Sequence, residues 1–368
     1  MTRGLQVPKN IVIAAGGTGG HLYPAIALAK EFTRQVPETM ITFVGSGKHL
    51  ENSILAHEGF VVEHIDVKGI VGLGVWGGLR SVLLLPKAIR QSMKILRARS
   101  ADLVIGTGGY FSPPVVCAAA LLGVRRIVME PNAVPGLANR VLGPIADRVF
   151  VAFDSAKDHF NRTKVRMVGT PVREEFFHAD APKPDHRKKT VLVVGGSQGA
   201  KAINTAVADA LQTSSVLRET CAVIHQTGAS DYERVRSLYG NSEGDVDVVP
   251  FLYDMPQALK SVDLVVSRSG AGTLAELAAC GKPSILIPFP YATHGHQEKN
   301  ARAMEATGAA SVILESELTG ERLAYELEML LSHPERLHDM SLQSLACRQV
   351  DATRLMIQEC QDLMRSMA

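Results

Sequence analysis

Four times along the chain a short run of apolar residues gives out directly into a loop of glycines and small polar residues. Residues 11–15 run into Gly16-Gly17-Thr18-Gly19-Gly20-His21, and residues 103–105 into Gly106-Thr107-Gly108-Gly109-Tyr110. Residues 191–194 run into Gly195-Gly196-Ser197-Gln198-Gly199, and residues 264–266 into Ser267-Arg268-Ser269-Gly270-Ala271-Gly272. An unbroken apolar run predicts a strand buried on both faces, the condition inside a parallel sheet covered by helices. Helical stretches at 25–32, 200–211 and 273–280 then make strand, glycine loop and helix recur as a unit. That recurrence confines the chain to an α/β architecture, in which ligands gather at the carboxyl ends of the strands.

The fourth unit says most about chemistry. Gly270 and Gly272 allow a tight turn and leave amides uncovered, and Thr273 can open the helix, whose first amides lack partners within it. A helix start carries roughly half a positive charge, which suits a diphosphate. Glu276, one turn in, can accept hydrogen bonds from a ribose diol. The competing account is a plain βα corner with Glu276 balancing the dipole. Four such loops, spread over two halves, favour a reaction that handles more than one diphosphate.

A chain of 368 residues is too long for one ordinary core and suggests two domains. A net charge of +2 argues against a nucleic-acid partner, which would need a broad basic field. The five cysteines form no C-x-x-C pair, and Cys117 and Cys280 lie in Ala-rich helical runs as expected buried thiols, so a reducing cytoplasm is the expected setting. Residues 11–15 are too short for a signal peptide, and the longest apolar run, 115–122, falls far short of a membrane span.

Domain boundaries follow from the same pattern. Residues 1–172 form a first domain, 173–349 a second, with the polar, proline-containing stretch 178–189 read as linker. A helix over 341–367 could pack onto either half, and its last part, about 350–368, is expected back on the first domain. The two domains are expected as Rossmann-like, doubly wound parallel sheets facing each other across a cleft. A dinucleotide fingerprint fails in the first: counted from Gly17, Leu22 takes the third glycine's place, and the second strand ends in Gly45 instead of an acid.

His21, beside a phosphate-type loop, and Glu130 with Asn132, at the end of strand 127–129, are candidates to face the ligand. Asp245-Val246-Asp247 has the spacing of a metal-binding D-x-D, but the acids precede their strand instead of emerging from one, which reads as a solvated turn. No His/Cys ligand spacing appears either, so neither a metal nor another cofactor is expected. Between Asp66 and Asp102 lie seven basic residues (Lys68, Arg80, Lys87, Arg90, Lys94, Arg97 and Arg99) and no acid. Trp76 and Leu79 lie in the same window, and Leu85, Ile89, Met93 and Leu96 recur at helical spacing beside the basic stripe. An amphipathic core helix is the simpler reading. The missing acids favour a patch that binds an anionic membrane surface, at about 1 kcal/mol per basic contact.

With these residues laid out, the chain resembles the MurG family, whose members have the GT-B fold. The resemblance runs nearly end to end: GGTGGH at 16–21, GTGGY at 106–110, Glu130 and Asn132, GTPVR at 169–173, GGSQGA at 195–200, SRSGAGTLAE at 267–276, and HQ and NA at 296–297 and 300–301. It implies an inverting transferase that moves N-acetylglucosamine from UDP-N-acetylglucosamine to the muramyl 4-hydroxyl of a lipid-linked muramyl-pentapeptide (lipid I to lipid II). That step belongs to peptidoglycan synthesis, cell shape and division, on the cytoplasmic face of the bacterial inner membrane. It also implies uracil near Leu252 and Arg173, ribose at Glu276, and diphosphate against Ser197 and the helix start at Gly270, Ala271, Gly272 and Thr273. Gln297, Asn132 and the Ala271 backbone would meet the donor sugar, with Ser269, Leu274, Ala275 and Asn300 in the same substrate-binding set. Thr18, Gly19, Gly20, Gly108, Gly109 and Tyr110 would face the phosphates and the acceptor. The family often has His-Glu-Gln-Asn where this chain has Met129-Glu130-Pro131-Asn132, so no role carries over from that His or Gln.

On this reading the acceptor hydroxyl attacks the anomeric carbon as UDP leaves, with His21 as first choice of general base and Glu130 as second. An epimerase of UDP-N-acetylglucosamine on the same scaffold is the nearest rival. It would need no lipid acceptor. A non-catalytic subunit that binds a membrane or a partner through residues 68–99 is a further rival; the intact halves of the nucleotide cleft speak against it, and tight UDP binding in a calorimeter would argue further against it.

Overall fold

The structure, a computed structural model, describes residues 8–16, 19–45, 47, 49–67, 74–177, 188–240 and 245–366, with the backbone alone for 19, 49, 50, 53 and 74–83. The chain divides into two units, Met1–Arg173 with Asp351–Ala368, and Glu174–Val350.

The first unit runs β1 (Asn10–Ala14), α1 (Gly19–Gln35), β2 (Met40–Gly45), α2 (His49–His57), β3 (Val61–His64), α3 (Gly74–Ala98), β4 (Leu103–Gly106), α4 (Ser112–Leu122), β5 (Arg125–Glu130), α5 (Leu137–Leu142), β6 (Arg148–Val151) and β7 (Val165–Met167). Its strands pair in parallel in the order β3-β2-β1-β4-β5-β6-β7. The second unit runs β8 (Lys189–Val194), α6 (Lys201–Thr213), α7 (Ser215–Thr220), β9 (Cys221–Gln226), α8 (Tyr232–Tyr239), β10 (Val246–Val249), α9 (Met255–Ser261), β11 (Leu264–Ser267), α10 (Ala271–Cys280), β12 (Ser284–Leu286), α11 (His296–Ala306), β13 (Ala310–Val312), α12 (Gly320–Leu331) and α13 (Pro334–Ala346). Its parallel order is β10-β9-β8-β11-β12-β13. The chain ends in α14 (Ala352–Arg365), which returns to the first unit.

Each sheet reverses its order once, between β1 and β4 and between β8 and β11. A crevice opens at such a switch point because the crossovers on its two sides lead to opposite faces. The four glycine loops follow these four strands.

The apolar runs form strands because both of their faces are covered. In β1, Ile11 and Ile13 face a core layer with Leu28 and Phe32 of α1, while Val12 and Ala14 face the layer holding Val104 and Val116; all four are at most 1% exposed. Met356, Ile357, Cys360 and Leu363 of α14 are buried in the first of these layers, with Met356, Ile357 and Leu363 each contributing about 1.5–3 kcal/mol.

Three expectations need correction. The single helix over 341–367 is two, broken between Ala346 and Ala352. Leu345 packs over Gly281 in the second unit, whereas Cys360 is buried in the first. The strands β3 and β13 were not anticipated: β3 is half-exposed and β13 is 3 residues long, so neither shows a long apolar run. Cys117 and Cys280 are half-buried rather than buried, and all five thiols are free. Most of the expected linker, 178–187, lies outside the described residues.

Candidate functional site

In the first unit, β1 and β4 deliver their loops side by side. Thr107 donates through both its amide and its hydroxyl to the Ala14 carbonyl, at 3.1 and 3.2 Å. The Ser112 hydroxyl, 0% exposed, donates to Gly108 O at 2.7 Å and accepts from Gly108 N at 2.9 Å, which closes the second loop. Gly108 and Gly109 are left-handed, with φ of 95° and 68°. A Cβ on Gly108 would lie 3.1 Å from His21 Cε1 and 3.3 Å from Asn139 Nδ2, and one on Gly109 would lie 3.6 Å from His21 Cδ2. The half-buried His21 ring is therefore packed against this bare backbone. Gly17 and Thr18 lie outside the described residues, and Gly20 is exposed at the start of α1.

Glu130, 2% exposed at the end of β5, accepts four hydrogen bonds. Its Oε1 takes Asn132 N at 3.0 Å and Asn132 Nδ2 at 2.9 Å; its Oε2 takes Gly136 N and Asn139 Nδ2, each at 2.9 Å. The carboxylate thus moulds the 131–136 loop and fixes α5, and the amide that Pro131 lacks is not among its donors. Sequence reasoning missed Asn139, also 2% exposed, which donates to Met129 O as well. It missed Glu51 too, a 6% exposed acid whose carboxylate fills the space over Gly45 and Gly16: a Cβ on Gly45 would fall 1.7 Å from its Oε1. Burial, and then the Glu51 charge, push the Tyr110 phenol above its usual value. Arg173 lies over the Tyr23 ring at 5.4 Å.

The α3 helix carries the expected basic stripe. Lys87, Arg90, Lys94 and Arg97 are exposed, while Ala88, Ser92 and Leu96 are buried. Ile89, Met93 and Leu96 belong to the core layer, so from Ile89 on the apolar stripe is a core-facing one. Lys87 pairs with Asp66 at 2.7 Å, and Arg99 with Glu63. Trp76, Leu79 and Arg80 fall on α3, but their side chains, and the whole of 68–73, lie outside the described residues.

In the second unit, α10 starts at Ala271, two residues before the expected Thr273. Gly270 is its N-cap, with no side-chain capping bond and no acid in the first turn. Neither Gly270 nor Gly272 has positive φ, so the turn does not demand glycine. A Cβ on Gly272 would meet nothing within 4 Å, so no packing demands it either. What glycine provides here is bare access to the amides of the helix start, the part of a helix that favours anions. Thr273, Ala275 and Glu276 are half-buried on the following turn. Leu274 is 2% exposed, and its amide bonds Gly270 O at 3.0 Å.

Ser269 and Asn300, both 0% exposed, tie this loop to α11. The Ser269 hydroxyl donates to Gln297 O at 2.8 Å, and Asn300 Nδ2 to Ser269 O at 3.3 Å. The half-buried Gln297 accepts Phe289 N through Oε1 at 3.0 Å. Arg268 donates to the Ile287 and Pro288 carbonyls at 3.1 and 3.0 Å, pairs with Glu315, and lies over Phe289. Leu252 stands half-buried between Phe251 and Tyr253, whose rings meet edge-on at 5.0 Å. Ser197 is half-buried in the loop after β8, the strand beside β11. Asp245 pairs with Lys188 at 2.5 Å, and among the described residues no cluster of three His, Cys, Asp or Glu could hold a metal.

Known proteins match this arrangement closely. Residues 11–151 match the glycosyltransferase family 28 N-terminal domain, and residues 190–356 the family 28 C-terminal domain. A UDP-N-acetylglucosamine--N-acetylmuramyl-(pentapeptide) pyrophosphoryl-undecaprenol N-acetylglucosamine transferase of Anaeromyxobacter sp. (strain Fw109-5) is 44% identical over 356 residues, 96% of this chain and 93% of the relative. The crystal structure of Acinetobacter baumannii MurG aligns with a TM-score of 0.76 at 29% identity, over 96% of this chain and 100% of that one. A solved UDP-N-acetylglucosamine 2-epimerase aligns at 0.67 with 14% identity, over 95% of each chain, a likeness of fold alone.

Proposed function

The chain belongs to the MurG family, and from that premise we propose how its two units divide the reaction. It is a glycosyltransferase of GT-B fold that moves N-acetylglucosamine from UDP-N-acetylglucosamine to lipid I, giving lipid II in peptidoglycan synthesis. The second unit takes the donor: uracil near Leu252, the ribose diol on Glu276, the diphosphate between the 195–199 loop and the start of α10, and the sugar by Gln297 and the Ala271 backbone. Ser269 and Asn300 hold that seat in shape. The first unit takes the lipid-linked acceptor at its glycine loops, with Gly109 and Tyr110 beside it and Asn132 and Arg173 as further substrate contacts.

The muramyl O4 bonds to the anomeric carbon as the bond from that carbon to the diphosphate oxygen breaks, inverting the centre. The hydroxyl proton passes to His21, and charge gathers on the departing diphosphate, where amides and helix dipole stabilise it. Between the two candidate bases the hydrogen bonds favour His21, because Glu130 already accepts four and lies buried beneath its own loop. The one observation that carries the donor half is the start of α10: without a side-chain cap, free of acid in its first turn, and bearing a glycine, Gly272, that no packing among the described residues requires.

No helix among the described residues is long and apolar enough to cross a membrane. The exposed basic face of α3 supports reversible attachment to an anionic leaflet, the cytoplasmic face of the inner membrane, where a lipid-linked acceptor is found.

Incubation with labelled UDP-N-acetylglucosamine and a short-chain lipid I analogue, followed by product analysis, tests the whole reading. A disaccharide on the lipid is expected; turnover of the donor with no acceptor present would instead point to an epimerase.

A further inference from the structure

The stretch His225-Gln226-Thr227-Gly228 played no part in the sequence argument, yet it is packed directly against the loop after β8. A Cβ on Gly199 would fall 1.7 Å from Thr227 O, and one on Gly228 would fall 2.1 Å from Gln198 O. The two backbones touch with no space for a methyl group. Both glycines are left-handed, with φ of 73° and 81°.

Behind this contact lies a closed polar network. Asn204, 0% exposed on α6, donates through Nδ2 to Thr227 O at 2.9 Å and to Asp231 Oδ2 at 2.8 Å. Its oxygen therefore faces His225 Nε2 at 3.1 Å, which assigns the proton to Nε2, while Nδ1 accepts from the Tyr239 hydroxyl at 2.7 Å. Arg234 holds Asp231 through two hydrogen bonds of 2.6 and 2.7 Å. At the front of the network stands Gln226, 2% exposed, whose Nε2 donates to the Gly196 carbonyl at 2.9 Å. The Gly199 amide donates to the same oxygen at 2.9 Å.

In a planar trans peptide the carbonyl and the following N–H point in opposite directions. Two donors draw Gly196 O inward, so the N–H of Ser197 must point away from Gln226. That amide makes no hydrogen bond among the described residues. We propose that Gln226 is a positioning residue for the donor diphosphate: it holds the Gly196 carbonyl and thereby aims the Ser197 amide at the phosphate. The proposal rests on the donor-site reading above and gives the 195–199 loop its orientation.

Calorimetry on the full chain with UDP and with uridine tests it. In Gln226→Met, which keeps the length and donates nothing, UDP binding weakens about tenfold, the scale of one charge-assisted hydrogen bond, while uridine binds as it does to the parent. In Gln226→Glu an ionised carboxylate repels the carbonyl and a protonated one can donate to it. Its UDP deficit relative to the parent therefore shrinks as pH falls from about 8 to about 5. Parent-like UDP binding in both variants overturns the proposal, as does a loss shared equally by UDP and uridine, the mark of a merely structural role. A parent chain that binds no UDP overturns the donor-site reading itself.

Discussion

The carboxyl edge of the first sheet gathers ionisable side chains among its neutral ones: His21 over Gly108 and Gly109, Glu130 at the end of β5, and Glu51 beside Gly16 with Tyr110 in its field. At the same edge of the second sheet the loops after β8 and β11 offer Ser197, Gln198 and Ser269 among glycines, and the first turn of α10 has no acid. Arg268 is turned to two carbonyls and Glu315. The topology around the two switch points is the same, so the fold does not set the difference, and the proposed division of the reaction accounts for it. Moving a proton needs a side chain whose charge can change; holding a diphosphate needs fixed dipoles, which backbone amides supply without a titrating group.

The sharpest break in this comparison would come from His21. His21→Ala should lower turnover about a thousandfold, within the usual span for a general base, and leave the calorimetric affinity for UDP-N-acetylglucosamine near the parent's. Equal turnover would remove His21 from the chemistry and leave the first edge without its main distinction. The second edge has a histidine behind it as well, and there the expectation is reversed. Burial pushes the His225 imidazole from 6.5 down to about 4. Between those values the unfolded chain binds a proton that the folded chain refuses. The stability given by neutral His225 is thus whole above about pH 6.5 and is lost toward pH 4, by about 3 kcal/mol in all. Urea unfolding of parent and His225→Asn at several pH values checks this: the parent's slope with pH should be the steeper one, and parallel slopes would remove His225 as its source.

Much of this contrast was legible in the sequence, and the rest was hidden for physical reasons. The strands β1, β4, β8 and β11 are apolar on both faces, so their positions and their glycine loops could be read directly. The start of α10 could not: Gly-Ala-Gly reads as loop, and the helix extends over it because Ala271, Leu274, Leu277 and Ala278 bury one continuous face. Glu51, Asn139, Gln226 and His225 were invisible because each acts on a loop from another element. Gln226 meets Gly196 across 30 residues of sequence. The basic stripe of α3 was legible, but its pairing was not, because Asp66 stands just outside the acid-free window.

A smaller effect separates ligand chemistry from stability at the second edge. Gly272→Asp places a carboxylate at an open helix start, where the dipole welcomes it by about 0.3–1 kcal/mol. If that start is reserved for the donor diphosphate, the same carboxylate repels it, and UDP binding should fall by about tenfold or more. The two measurements move in opposite directions. A variant more stable than the parent that binds UDP equally well would move the diphosphate elsewhere.

The smallest expected effect concerns charge on the outside of the first unit. Lys94 is exposed with no salt bridge among the described residues, whereas Lys87 pairs with Asp66, whose carboxyl that contact holds below its usual value. If the α3 stripe meets an anionic leaflet, each basic residue near it contributes about 1 kcal/mol, roughly fivefold in binding. Lys94→Ser should therefore weaken binding to phosphatidylglycerol vesicles by about that factor. Asp66→Asn removes a repelled charge beside the stripe, so it should strengthen binding, by at most the same factor. Both changes should fade on phosphatidylcholine vesicles and at high salt, where the field is screened. Weaker binding in Asp66→Asn, or none of this dependence on the lipid's charge, would return α3 to the simpler role of a core helix with a solvated basic face.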